Sequence, residues 1–127
     1  MDDTFRLDQS VVHLNSNGPI HIAPNGPEFW ADRTRPELAC GQVVTVFGYD
    51  VSWDWQERHP TGDEIAVLLT GSIDVVIDAG AGEHAIRLEP QCGAVIKEGA
   101  WHRVVVYEPS TILFITPEPA RTEHRSV

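Results

Sequence analysis

From residue 38 onward the chain alternates between polar positions and apolar ones, mostly β-branched or aromatic, in short runs broken by Gly, Pro or Asp. This two-residue period predicts strands over 42–48, 52–58, 64–70, 72–78, 84–89, 93–97, 101–107 and 111–116. Gly71-Ser72 and Ala79-Gly80-Ala81-Gly82 read as hairpin connections, because glycine takes positive φ without steric cost. No helix of any length is expected. Eight short strands in one domain predict an all-β jelly roll or closed barrel rather than an immunoglobulin-like sandwich. Before this region, Asn15-Ser16-Asn17-Gly18-Pro19 and Pro24-Asn25-Gly26-Pro27 break the chain into extended pieces joined by turns. The expected organisation is an N-terminal turn-rich extension with edge strands over 1–37, a barrel over 38–117 and a tail over 118–127. That tail is polar and Pro-punctuated, and is expected to leave the barrel and to be partly mobile.

At 127 residues the chain has the length of one domain with one core. No run of eighteen apolar residues occurs, and Met1-Asp2-Asp3-Thr4-Phe5-Arg6 lacks the basic cluster and apolar centre of a secretory signal, so the protein is expected to be soluble and cytoplasmic. Nine Lys and Arg against 19 Asp and Glu leave a net charge of −10, which argues against nucleic acid or an anionic membrane as partner. Cys40 and Cys92 are not expected to form a disulfide and read as small buried or half-buried residues.

The candidate chemistry lies on particular strand faces. Alternation puts Trp53, Trp55, Glu57 and His59 on one side and Asp54, Gln56 and Arg58 on the other. Two large rings followed by a carboxylate and an imidazole suit a pocket wall with polar ligands near its mouth. The turn Pro60-Thr61-Gly62-Asp63 would then bring Glu64 beside His59 on the adjacent strand, with Ala66, Leu68 and Thr70 on the same face as Glu64. Later, a strand and a glycine turn lead into a strand that opens at His102, with Val104 and Val106 facing the same way.

Glu-x-His-Pro-x-Gly-Asp-Glu-x6-Gly, from Glu57 to Gly71, resembles the first motif of the cupin family, and Gly-x5-Gly-x2-His, from Gly93 to His102, resembles the second. The resemblance implies a jelly-roll barrel with one divalent metal. His59, Glu64 and His102 match the family's ligands directly, and Glu57 stands where the family has another histidine. Lys97 replaces a usual proline of the second motif, a change expected to alter only the turn. Two imidazoles with one or two carboxylates suit Fe(II) or Mn(II) first, and are compatible with Ni(II) or Zn(II). Outside a metal site, His59 and His102 would be hydrogen-bonded structural histidines and Glu64 a surface carboxylate. Glu57 is a ligand or, against the tryptophans, a catalytic general base.

Trp53, Trp55, Val104 and Phe114 are expected to form the substrate pocket. Asp63 and Arg103 read as solvent-facing, with a hydrogen bond to His59 as the alternative role for Asp63. His13, His21, His84 and His124 lie outside both motifs and read as surface or edge residues, not ligands. The resemblance implies a small-molecule enzyme of dioxygenase, isomerase, cyclase or lyase type. The alternative is a non-enzymatic metal- or ligand-sensing module. The expected ligand is partly hydrophobic or aromatic with an oxygen donor, and the protein is expected to be a homodimer.

Overall fold

Two long strands, β5 (Glu64–Asp78) and β8 (Trp101–Pro117), run antiparallel from Ile65 opposite Ile115 to Asp78 opposite Trp101 and belong to both halves of the barrel. The computed structural model describes residues 4–127; Met1, Asp2 and Asp3, part of the segment read as lacking a secretory signal, lie outside the described residues. One half contains β2 (His21–Pro24), β1 (Ser10–Leu14), β3 (Gln42–Tyr49), the C-terminal part of β8, the N-terminal part of β5 and β7 (Gly93–Ile96), in that order. The other contains β9 (Glu123–Ser126), β4 (Trp55–Arg58), the remaining parts of β8 and β5, and β6 (Glu83–Leu88). Side chains from both halves, including Leu68, Ile73, Val75, Ile96, Val104 and Ile112, fill the core between them.

The expected hairpin at Gly71-Ser72 is instead an irregularity inside one strand. Register shifts between Leu68 and Ile73 change the parity of β5: Glu64, Ala66 and Leu68 face inward before it, and Ile73, Val75 and Ile77 after it. This is the effect of an unpaired residue in a pleated strand. Gly71, at φ +104°, passes against Ser110, whose Oγ accepts the Ser72 N–H at 3.0 Å and donates to the Glu108 carbonyl at 2.7 Å. The strands expected over 101–107 and 111–116 are continuous for the same reason, since Ser110 stays inside the ladder. The hairpin at Ala79–Gly82 does occur, with Gly80 and Gly82 at positive φ between Asp78 and its partner Glu83.

Two short helices, α1 (Pro27–Ala31) and α2 (Pro36–Ala39), stand where none was expected. Each opens on proline followed by glutamate, a pairing of fixed φ and an acidic first turn that favours a helix start. Phe29 and Leu38 from these helices pack with Val11 and Val43 as a second apolar cluster. His13 is buried in β1 rather than on the surface, with Nε2 2.8 Å from the Cys40 carbonyl. Cys40 and Cys92 are exposed thiols, contrary to their expected burial. The segment after Pro117 does not leave the barrel. It makes a 3₁₀ turn over Pro119–Arg121 and returns as β9 to pair with β4, register Trp55 with Ser126 through Arg58 with Glu123. Among the described residues no helix is long and apolar enough to cross a membrane.

Candidate metal centre

The local chain path first sets where the imidazoles sit. Glu57, in β4, lies opposite His102, in β8, so both belong to the same half of the barrel. His59 follows the end of β4, and its carbonyl accepts the Gly99 N–H at 2.9 Å, which ties the first motif to the glycine turn before His102. Asp63 reinforces the tie by accepting the Glu98 N–H at 2.8 Å, with Lys97 3.8 Å away. Asp63 is therefore not the partner of His59. That partner is Thr122, whose Oγ1 lies 3.0 Å from His59 Nδ1.

Glu64 reaches the imidazoles from the other half of the barrel. β4 and β5 do not pair as neighbours, contrary to expectation; both pair with β8, and Glu64 meets His59 across the interior. Its Oε2 lies 3.1 Å from His59 Nε2 and its Oε1 lies 3.1 Å from His102 Nε2. Thr116 donates to Oε2 at 2.6 Å. Alignment for hydrogen bonding is lacking between the carboxylate and the rings, so His59 Nε2, His102 Nε2 and Glu64 Oε1 remain without hydrogen-bond partners at full burial. Each such atom costs about 1 to 3 kcal/mol unless something else satisfies it. One atom each of Glu57, His59 and His102 also lies within 4.8 Å of the other two, close enough for one ion. Two nitrogens and carboxylate oxygen are a donor set that a divalent transition metal fits.

The electrostatics follow from this enclosure. Burial pushes the Glu64 carboxyl up, but the adjacent His102 and His59 outweigh it and hold the group at about 2. Burial likewise opposes charge on His59, and Glu64, with Glu57 behind it, more than compensates, so the imidazole lies above its ordinary value. The Tyr49 phenol is pushed far up by burial and then by the charges of Glu57 and Glu64.

A cavity of about 360 Å³ opens on Glu57, His59 and Glu64, with Phe47, Tyr49, Trp53 and Phe114 among its walls. Trp55 and Val104 do not line it. Trp55 stacks on Trp53 with ring centres 4.8 Å apart and donates from Nε1 to Glu57 Oε2 at 2.9 Å, so it supports the wall and the carboxylate from behind. Val104 is core, with its carbonyl accepting the Trp53 N–H. Arg103 is half-buried on the outer face and pairs there with the exposed Glu83. His124, expected at the surface or an edge, is exposed on the edge strand β9, where it lies opposite Glu57 with Nε2 3.6 Å from Glu57 Oε2 and lines the cavity. Trp30 and Arg33, from α1 and the loop after it, line the cavity as well. No local pattern marked Thr122, His124, Trp30 or Arg33, because each reaches the site only through pairing with residues far away in sequence.

No protein-family model and no curated protein matches the sequence. Solved structures do match. A cupin-2 domain containing protein from Shewanella frigidimarina aligns at 21% identity and TM-score 0.51, over 60% of this chain and 70% of its own. Hydroquinone 1,2-dioxygenase from Sphingomonas sp. TTNP3 with 4-hydroxybenzoate bound aligns at 18% and 0.52, over 63% and 61%. Oxalate oxidase in complex with the substrate analogue glycolate aligns at 13% and 0.54, over 65% and 45%. The match spans less than two thirds of the length of either of these two enzymes. At these identities the likeness is one of fold: the chain has the same kind of β-barrel as these cupin structures.

Proposed function

We propose that the chain is a metal-dependent enzyme acting on a small organic molecule, with His59, Glu64 and His102 holding one divalent transition metal and Glu57 beside them. The observation that carries this reading is the set of buried donor atoms with no partner: His59 Nε2, His102 Nε2 and Glu64 Oε1. A purely structural cluster would satisfy these atoms within the chain. Fe(II) or Mn(II) is the favoured ion, and when bound it supplies Lewis acidity and, for iron, oxygen chemistry. The residues around it have separable tasks. Thr122 fixes the ring of His59 through Nδ1, leaving Nε2 for the metal. Thr116 orients Glu64. Trp55 holds Glu57 Oε2 at the cavity edge, where the carboxylate can take a proton from a bound substrate. The aromatic wall excludes water from the reacting end.

The test incubates the metal-loaded protein aerobically with a panel of aromatic acids, phenols and hydroxy acids and detects product by mass spectrometry. Turnover of at least one compound is expected, and Glu57→Gln lowers its rate by about 10²-fold or more, the usual worth of a positioned base. An undiminished rate in Glu57→Gln removes that residue from catalysis. Stoichiometric metal with no turnover of any panel compound contradicts the enzyme reading in favour of a ligand-binding module.

A further inference from the structure

We propose that the cavity takes a small aromatic or otherwise largely apolar monocarboxylate, and that Arg33 is the side chain that reads the carboxylate. This rests on the reading of the cavity as the substrate site. At a net −10 the protein repels an anionic ligand at long range unless a cation stands near the entrance. Arg6, Arg35, Arg58, Arg87, Lys97, Arg103 and Arg125 are each paired with a carboxylate. Among the described residues Arg33 and Arg121 form no such pair, and of these two only Arg33 lines the cavity. Among the described residues, one of the two cations without a carboxylate partner is thus placed where a ligand would meet it.

Arg33 is also held in position without being neutralised. Its Nη2 donates to the carbonyls of Pro119 and Ala120, at 3.3 and 2.9 Å. These neutral acceptors use one nitrogen of a guanidinium whose planar fork carries five donors and matches a carboxylate edge. Trp30, Phe47, Tyr49, Trp53 and Phe114 give the same cavity apolar walls. A cavity of about 360 Å³ equals about a dozen liquid waters, which suits a ligand of about ten to fifteen non-hydrogen atoms.

The test reads tryptophan fluorescence while benzoate, phenylacetate and 3-phenylpropionate, and separately their primary amides, are titrated into the protein. Each titration is run on metal-loaded protein and on the same protein stripped with EDTA. At least one acid is expected to bind about tenfold or more tightly than its amide in both forms, from the charge-assisted contact. Arg33→Gln brings acid and amide to about parity, whereas Arg33→Lys keeps part of the preference, and amide binding by both variants reports that the cavity is intact. Absence of an acid preference in stripped wild type overturns the proposal, as does a preference that survives in Arg33→Gln. A preference seen only with metal bound assigns the carboxylate to the metal and equally overturns the role of Arg33. Because the stripped protein is titrated alone, a failure of metal binding would be seen separately and would leave this result readable.

Discussion

Gly71→Ala is expected to lower the melting temperature by about 10 to 20 °C, or to leave the protein insoluble. Two costs combine at this position. The backbone sits at φ +104°, which an L-residue adopts only with strain of about 1 to 3 kcal/mol. A Cβ there would also fall 2.6 Å from Ser110 Cα, on a strand that the ladder prevents from moving away. Overpacking of this kind adds about 1 to 3 kcal/mol, and each kcal/mol moves the melting temperature of a domain this size by a few degrees. Gly80→Ala is the matched control: φ is +105° but nothing lies within 4 Å of the added carbon, so only the strain applies. Thermal melts followed by circular dichroism compare the two. Equal losses would show that the approach of Gly71 to Ser110 does not hold the bend of β5 against β8. That bend matters to function because Glu64 lies on one side of it and His102 in the half of the barrel on the other.

Glu64→Gln is expected to flatten the part of the pH dependence of the metal-free protein that comes from the Glu64–His59 pair, and to weaken metal binding by about 10² or more. The sign follows from each partner. Glu64 titrates at about 2 in the folded protein against an ordinary 4.5, so its contribution is present above pH 4.5 and is lost as pH falls toward 2. His59 is raised above an ordinary 6.5, so its contribution is complete below pH 6.5 and is lost as pH rises through the folded value. Metal-free wild type is therefore most stable between these limits, near about pH 5.5. A glutamine carries no charge to couple to His59 or His102, and both limbs flatten. Urea unfolding of EDTA-treated protein at about pH 3, 5.5 and 8 measures this, and a variant profile parallel to wild type would contradict the coupling.

Much of this site is local in sequence, which is why it was legible. The turn at 60–63 necessarily returns the chain near His59, and the glycine at 99 allows the turn that precedes His102, at φ +80°. Strand alternation placed Glu57 and His59 correctly relative to Trp53. Alternation failed where successive register shifts changed its parity, between Leu68 and Ile73, because such shifts leave the composition of the strand unchanged. Alternation alone does not separate a cavity wall, such as Trp53, from packed core, such as Val104. The remaining contributors depend on distant pairing. His124 reaches Glu57 because β9 adds to β4, and Thr122 reaches His59 by the same return of the chain. A polar, proline-rich C-terminus carries little intrinsic strand signal, so only the exposed edge of β4 explains its order. Proline before glutamate at 27 and 36 was a usable helix signal, and those helices position Trp30 and Arg33.

The central claim is that the unpartnered atoms of His59, Glu64 and His102 hold a metal. Metal content of the purified protein by inductively coupled plasma mass spectrometry tests it most directly, with His59→Ala and His102→Ala measured in parallel. The expected result is about one transition metal per chain in wild type and its loss in both variants, with folded circular dichroism spectra throughout. Wild type that holds no metal after reloading with Fe, Mn, Ni and Zn in turn, or metal retained at full stoichiometry in both variants, would contradict the account.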